Sequence, residues 1–241
     1  MCEKIVVKAY LDNNILISYE EDSSVLPCCV CIEYRCSYIH ILELMESTRD
    51  FEHRKDKRFS TISNLTNNVF MTNTDNNCVA EELNSCEKYY SFLCTPLSIA
   101  FHYSLNNLSH HWLEGHDPDR LINFFKIDKA RINNYKPEEL IREHRSFIEK
   151  FVSTTDDGIR MASFVSFFNA LDMLGFWQDK TEDGALMNRT YDAQHAYFAT
   201  GCDYFVTNDH RTCMKANVLY QYYGYVTKAL SLKEFQNLTN N

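Results

Sequence analysis

Four carboxylates in this sequence have the type and setting that suit phosphate chemistry: Asp12, Glu43, Asp192 and Asp209. Asp12 closes the apolar, β-branched run IVVKAYLD, and Asp209 follows the short run YFVTN. In parallel sheets ligands bind beyond the carboxyl ends of the strands, so both acids are expected at one edge. Glu43 falls on an early helix after Ser37, and Asp192 is expected to begin a helix, where the positive helix end favours a carboxylate. Singly, each has a structural explanation as a helix cap, a turn residue or a solvated face. Together they would repel one another, and a hard cation such as Mg²⁺ or Mn²⁺ relieves that repulsion with oxygen ligands. Such an ion activates a water and stabilises charge on phosphoryl oxygens, so the chemistry expected is metal-assisted hydrolysis at a phosphoryl group.

The elements that must position these acids alternate at both ends of the chain. A buried strand is expected over Ile5–Leu11, followed by a helix in ILISYEE, a short strand in VCIEY, and a helix carrying Ile41, Leu42, Glu43 and Met45. Residues 49–77 mix signals: RDFEHRKDKR is charged and exposed in character, while RFSTISNLTNNVFM alternates enough for a strand with a loop. From Val79 to Trp177 aromatic and aliphatic residues recur at helical spacing, a large helical insertion with connectors at Asn133–Pro137 and TTDDG. Late in the chain the pattern gives a helix over Asp192–Ala199, a strand over Tyr204–Val206, a helix over Arg211–Tyr223 and a strand over Tyr225–Ala229. The fold class expected is α/β: one domain over residues 1–241, a mostly parallel sheet flanked by helices, with the insertion at 79–177.

Around these acids the motifs resemble the PIN-domain nucleases. Tyr10-Leu-Asp-Asn-Asn14 is similar to that family's first strand followed by Asp-x-Asn. Cys36-Ser-Tyr-Ile-His-Ile-Leu-Glu43 resembles its serine-opened helix with the second acid, Glu46 being the alternative one turn on. Tyr191-Asp-Ala-Gln-His195 and Gly201-Cys-Asp-Tyr-Phe-Val-Thr-Asn-Asp209 resemble its late Asp-helix and strand with Thr-x-Asp. The likeness covers roughly residues 5–60 and 188–235. It implies that Asp12, Glu43, Asp192 and Asp209 bind one or two Mg²⁺ or Mn²⁺ ions, with Asn14 and Thr207 orienting ligands or water around them. Asp203 is a supporting candidate, although it stands at the far end of the strand from Asp209, about 20 Å away if extended. His195 and His210 are candidates for phosphate contact, and His110, His111 and His116 show no recognised metal spacing. The implied activity is an endoribonuclease acting on single-stranded or structured RNA, in a family that includes toxins, RNA-processing enzymes and phage-defence effectors, many held by a partner protein. The aromatic-rich middle is a natural surface for such a partner or for self-association. A different class of reading is a catalytically silent binding module of the same fold. Arg35-x4-His40 also matches the spacing of the metal-independent HEPN ribonucleases.

Composition sets bounds on all of this. With 241 residues, 45% of them hydrophobic, the chain can bury a full core. No apolar run reaches the roughly 20 residues of a membrane-spanning helix, and MCEKIVVKAY lacks a secretory pattern, so a soluble cytoplasmic protein is expected. Ten cysteines are then expected as reduced, buried small side chains, rather than as a zinc site at Cys28, Cys29, Cys31 and Cys36. The net charge of −9 argues against broad affinity for phosphate backbones, a constraint that ions held by clustered acids would ease locally. Arg54, Lys55, Lys57 and Arg58 are the candidate basic guide for a nucleic-acid strand.

Overall fold

The structure is a computed structural model that describes residues 6–27, 31–46, 51–74, 79–98, 123–124, 126–128, 130–151, 161–179 and 185–239. Its centre is a parallel sheet of β1 (Val7–Leu11), β2 (Ile32–Arg35), β5 (Tyr204–Val206) and β6 (Lys228–Leu230), in the order β2-β1-β5-β6. Ala9, Tyr10 and Leu11 have no exposed surface, as befits a parallel strand covered on both faces. The register pairs Ala9 with Tyr34 and Tyr204, and Tyr10 with Arg35 and Phe205. Side chains alternate between faces, so Tyr34 and Tyr204 share one side while Tyr10 and Phe205 share the other. The first side receives Phe235 from α10 (Leu232–Thr239), edge-on to both tyrosines. The second is covered by α2 (Ile39–Glu46) and α8 (Ala185–Phe198), whose His40 and His195 rings meet Tyr10.

Strand order turns outward in opposite directions from the β1–β5 pair, since β1 is followed by β2 on one side and β5 by β6 on the other. That divide is where an open parallel sheet leaves a crevice. Two helices start there: α1 (Asn13–Glu21) directly after β1, and α9 (His210–Tyr223) directly after β5. The latter ends at Gly224, whose φ of +74° is the left-handed conformation that glycine adopts without strain.

Three expectations from the sequence need correction. Residues Phe51–Thr66 form one helix, α3, which turns Phe59 and Ile62 inward and leaves most of its charges outward. Asn67 and Asn68 end it with positive φ, and the chain returns as β3 (Val69–Asn73). Val79–Leu83 then pairs with β3 antiparallel as β4, so the segment read as the start of a helical insertion begins with a strand. Its polar Glu81 and Glu82 hid a two-stranded ribbon, which is anchored to the main sheet where Met71 N–H donates to Cys36 O at 2.7 Å. Helices follow as α4 (Cys86–Leu93), α5 (Pro137–Glu143), α6 (Arg145–Phe151) and α7 (Met161–Met173). Finally, Cys31 is disulfide-bonded where a reduced thiol was expected, whereas Cys36, Cys86, Cys202 and Cys213 are free and buried. Among the described residues no helix is long and apolar enough to cross a membrane.

Candidate active site

The geometry of the crevice begins with Asp12. Its N–H donates to Val206 O at 2.9 Å, which extends the β1–β5 pairing by one residue and places Asp12 beside Thr207. The carboxylate caps α1 through Asn13 N–H (2.7 Å to Oδ1), and Oδ2 accepts from the Asn14 amide (2.6 Å) and the Thr207 hydroxyl (2.5 Å). Asn14 also accepts from Asn208 N–H at 3.2 Å, so it bridges the two strand ends. Asp209 caps α9, its Oδ1 accepting from Arg211 N–H (2.7 Å) and Thr212 N–H (3.1 Å). Both acids therefore do what a capping residue does, and an ionised carboxylate, with about four acceptor positions, has capacity left after capping.

Asp192 and Glu43 arrive from α8 and α2. Asp192 lies two turns inside α8, which starts at Ala185, so it does not open the helix as expected and the helix dipole gives its charge little support. Burial pushes its carboxyl well above the usual range, and the charges of Asp12, Asp209, Glu43 and Asp179 push it further. Asp12 is raised as well, chiefly by burial, with His195 opposing and Glu43 adding to the rise. Asp192 therefore feels the charge of the other three acids, and Asp12 that of Glu43.

His195, one turn beyond Asp192, is buried completely. Burial opposes its charged form, but Glu43, by charge and hydrogen bond, and then Asp12 outweigh that, and its pKa is raised. Its Nε2 lies 3.0 Å from Glu43 Oε2 and its Nδ1 2.8 Å from the Tyr10 hydroxyl, and that hydroxyl meets Ser37 Oγ at 2.6 Å. Asp12 Oδ1 lies 4.0 Å from the same Nε2. Glu46, the alternative to Glu43, is exposed and hydrogen-bonded to Tyr191. Asp203 stands at the amino end of β5, where it accepts from Lys8 N–H at 2.8 Å, away from the crevice. His210 is exposed and packs edge-on against Trp177, while His110, His111 and His116 lie outside the described residues.

The supposed basic guide is largely committed elsewhere. Arg58 is buried and bound to Glu20 and Asn13, Lys57 donates to Glu20 O, and Lys55 lies over the Phe51 and Tyr90 rings. The Arg35–His40 pair does not form either. Arg35 binds Glu33 and Glu81, and His40 donates to Leu11 O (2.8 Å) with its pKa held well below 6.5, mainly by burial.

A second charged group adjoins the acids and was not anticipated. Lys215 on α9 binds Asp179 (2.7 Å) and Asp172 (3.0 Å), and Asp172 is also held by Arg189. Asp172 had a signal in the sequence, since a lone charge in the apolar run SFFNALDMLGFW must be paired if buried. Asp179 had none that separates it from Glu182 or Asp183.

In chemical kind the crevice suits a hard divalent cation, because its donors are carboxylates that repel one another and lie beside hydroxyl and amide groups. As the side chains stand, no three His, Cys, Asp or Glu among the described residues are gathered to hold an ion, so uptake would require carboxylates to turn inward. No family model, curated protein or solved structure matches this chain.

Proposed function

We propose that the chain is a metal-dependent nuclease, similar to the PIN type, that hydrolyses phosphodiester bonds within RNA. The observation that carries this reading is the crevice between β1 and β5. There Asp12 and Asp209 follow neighbouring strand ends, and Asp192 is repelled by four other acids. Accumulated carboxylates at a site of ligand binding are costly to stability unless a cation joins them. When bound, Mg²⁺ or Mn²⁺ supplies an activated water and neutralises charge on the phosphoryl group.

The chain's own groups hold the frame. Asn14 and Thr207 fix one oxygen of Asp12, the first turn of α9 fixes one oxygen of Asp209, and His195 orients Glu43 from behind. RNA is favoured over DNA by the family likeness, as are an internal cut and control by a protein partner. A silent binding module with this fold is the second reading, favoured by the capping duties that already occupy Asp12 and Asp209.

Cleavage of single-stranded RNA by the wild type and by Asp192→Asn, with and without divalent ions, separates the two. The nuclease reading expects ion-dependent cutting that Asp192→Asn loses down to background. Equal activity in both proteins would sink it, and RNA binding without cleavage would leave the binding module.

A further inference from the structure

Strand β6 forms one end of the main sheet, and its outer side is closed by a side chain. In a parallel strand successive residues turn their N–H and C=O groups to alternate sides. Lys228 N–H donates inward to Asp203 O and Leu230 O accepts from Thr207 N–H, each at 3.0 Å, so Ala229 between them faces away from the sheet. Both of its backbone groups are met by one residue of α9. Ala229 N–H donates to Asn217 Oδ1 at 2.9 Å, and the Asn217 amide donates to Ala229 O at 3.0 Å. A carboxamide carries the same acceptor and donor as a peptide group, so Asn217 completes Ala229 as a neighbouring strand would. The amide nitrogen has a second contact, 3.8 Å from Cys213 Sγ one turn back on the helix.

An open sheet edge is a template for another extended chain. The opposite end of the main sheet, β2, runs on into the ribbon through the Met71–Cys36 bond, so among the described residues β6 is the end that no strand continues. The surface beside Ala229 favours an added strand. Met214, Tyr220, Tyr225 and Thr227 help to line a cleft of about 420 Å³ there, together with Val226, which is 83% exposed. A strand laid along β6 would pair through its backbone and bring its side chains beside that cleft. A second copy of this chain carries the same edge, and a two-fold axis sets Ala229 opposite Ala229, where the two residues exchange both bonds. We propose that Asn217 is the guard of this edge. It holds the place of a fifth strand and keeps two copies of the chain from joining β6 to β6.

Light scattering coupled to size exclusion, over a concentration series of the intact protein, tests this. It compares the wild type, Asn217→Ala and a double variant that adds Ala229→Pro, each checked for folding by circular dichroism. Proline removes the Ala229 N–H, which no strand of the sheet uses, and edge positions accept it. The mass of Asn217→Ala is expected to rise with concentration toward twice that of the wild type, and the double variant to return to the wild-type mass. A mass for Asn217→Ala that follows the wild type at every concentration overturns the proposal. So does a double variant that associates as strongly as the single one, because loosened packing, not a freed edge, then drives association. Should Asn217→Ala fail to fold, Asn217→Ser takes its place, since serine is too short to meet both groups of Ala229, and the same outcomes decide. Hydrogen exchange of the wild type needs no variant: the Ala229 amide is expected to be protected as the Lys228 amide is, and free exchange at Ala229 overturns the assignment.

Discussion

His40 and His195 stack with ring centres 4.5 Å apart, and the fold treats them in opposite ways. His195 faces carboxylates, so its pKa is raised; His40 faces the Leu11 carbonyl within the core, so its pKa is driven well below 6.5 by burial and by the charge of His195. A histidine kept neutral in the fold contributes stability that is fully present above its unfolded pKa of about 6.5. That contribution is lost as pH falls below 6.5, because the unfolded chain gains a proton that the folded one refuses. His195 has the reverse sign, its contribution being lost as pH rises through its raised value. Melting temperatures of the wild type and His40→Gln between pH 5 and 8 isolate the first effect. The wild type is expected to lose more stability on the acid side than His40→Gln, and parallel curves would show that His40 ionises freely. At this scale the sequence was partly legible. Asp12 and Asp209 follow neighbouring strand ends, as the apolar runs before them suggested, and His195 shares a helix face with Asp192 by simple spacing. Lys215 was hidden because pairing a lysine on α9 with acids before α8 depends on helix packing that no local pattern encodes.

Among the elements, strands β1 and β5 and helix α9 were readable because an apolar β-branched run and a long amphipathic stretch are local properties. The start of α8 was misjudged by about two turns, which is why Asp192 was expected at a helix end. β4 was missed because VAEEL lies in an edge ribbon with one polar side, where alternation is weak. The last helix, α10, was also missed, although its signature is present: Ser231 and Glu234 form a capping box. The Glu234 carboxylate accepts from Ser231 N–H at 2.8 Å, and Ser231 Oγ accepts from Glu234 N–H at 3.3 Å. Removing this cap by Ser231→Ala is expected to cost about 1 kcal/mol, because orphan N–H groups of the first turn lose an acceptor. In a chain of this size that corresponds to roughly 2–4 °C in melting temperature. An unchanged melting temperature would mean that Phe235, packed on Tyr34 and Tyr204, holds the helix without the cap.

For the molecule as a whole, part of the net charge of −9 lies with acids that bear on Asp192, and this makes stability sensitive to pH. Acids with raised pKa values, as Asp12 and Asp192 have, contribute stability while protonated, below the unfolded value near 4. That stability is lost as pH rises through their folded values, when the carboxylates ionise against one another. At neutral pH a bound divalent ion should restore it. An ion at 100 times its dissociation constant adds about 2.7 kcal/mol, and its effect on the melting temperature should vanish in Asp192→Asn. An equal rise in both proteins would place the bound ion elsewhere.

The pairing of β1 with β5 sets a schedule as well as a shape. Leu11 and Val206 lie side by side in the sheet, yet nearly the whole chain separates them in synthesis. At 5–20 residues per second the late strand leaves the ribosome about 10–40 s after the first. Until then Asp12 has neither Thr207 nor Asp209 beside it, and β1 lacks a central neighbour. A nascent or truncated chain therefore lacks the late strand that completes the β1 edge. The sheet edge that carries Asp12 is complete only when the final fifth of the chain has folded onto its first strand.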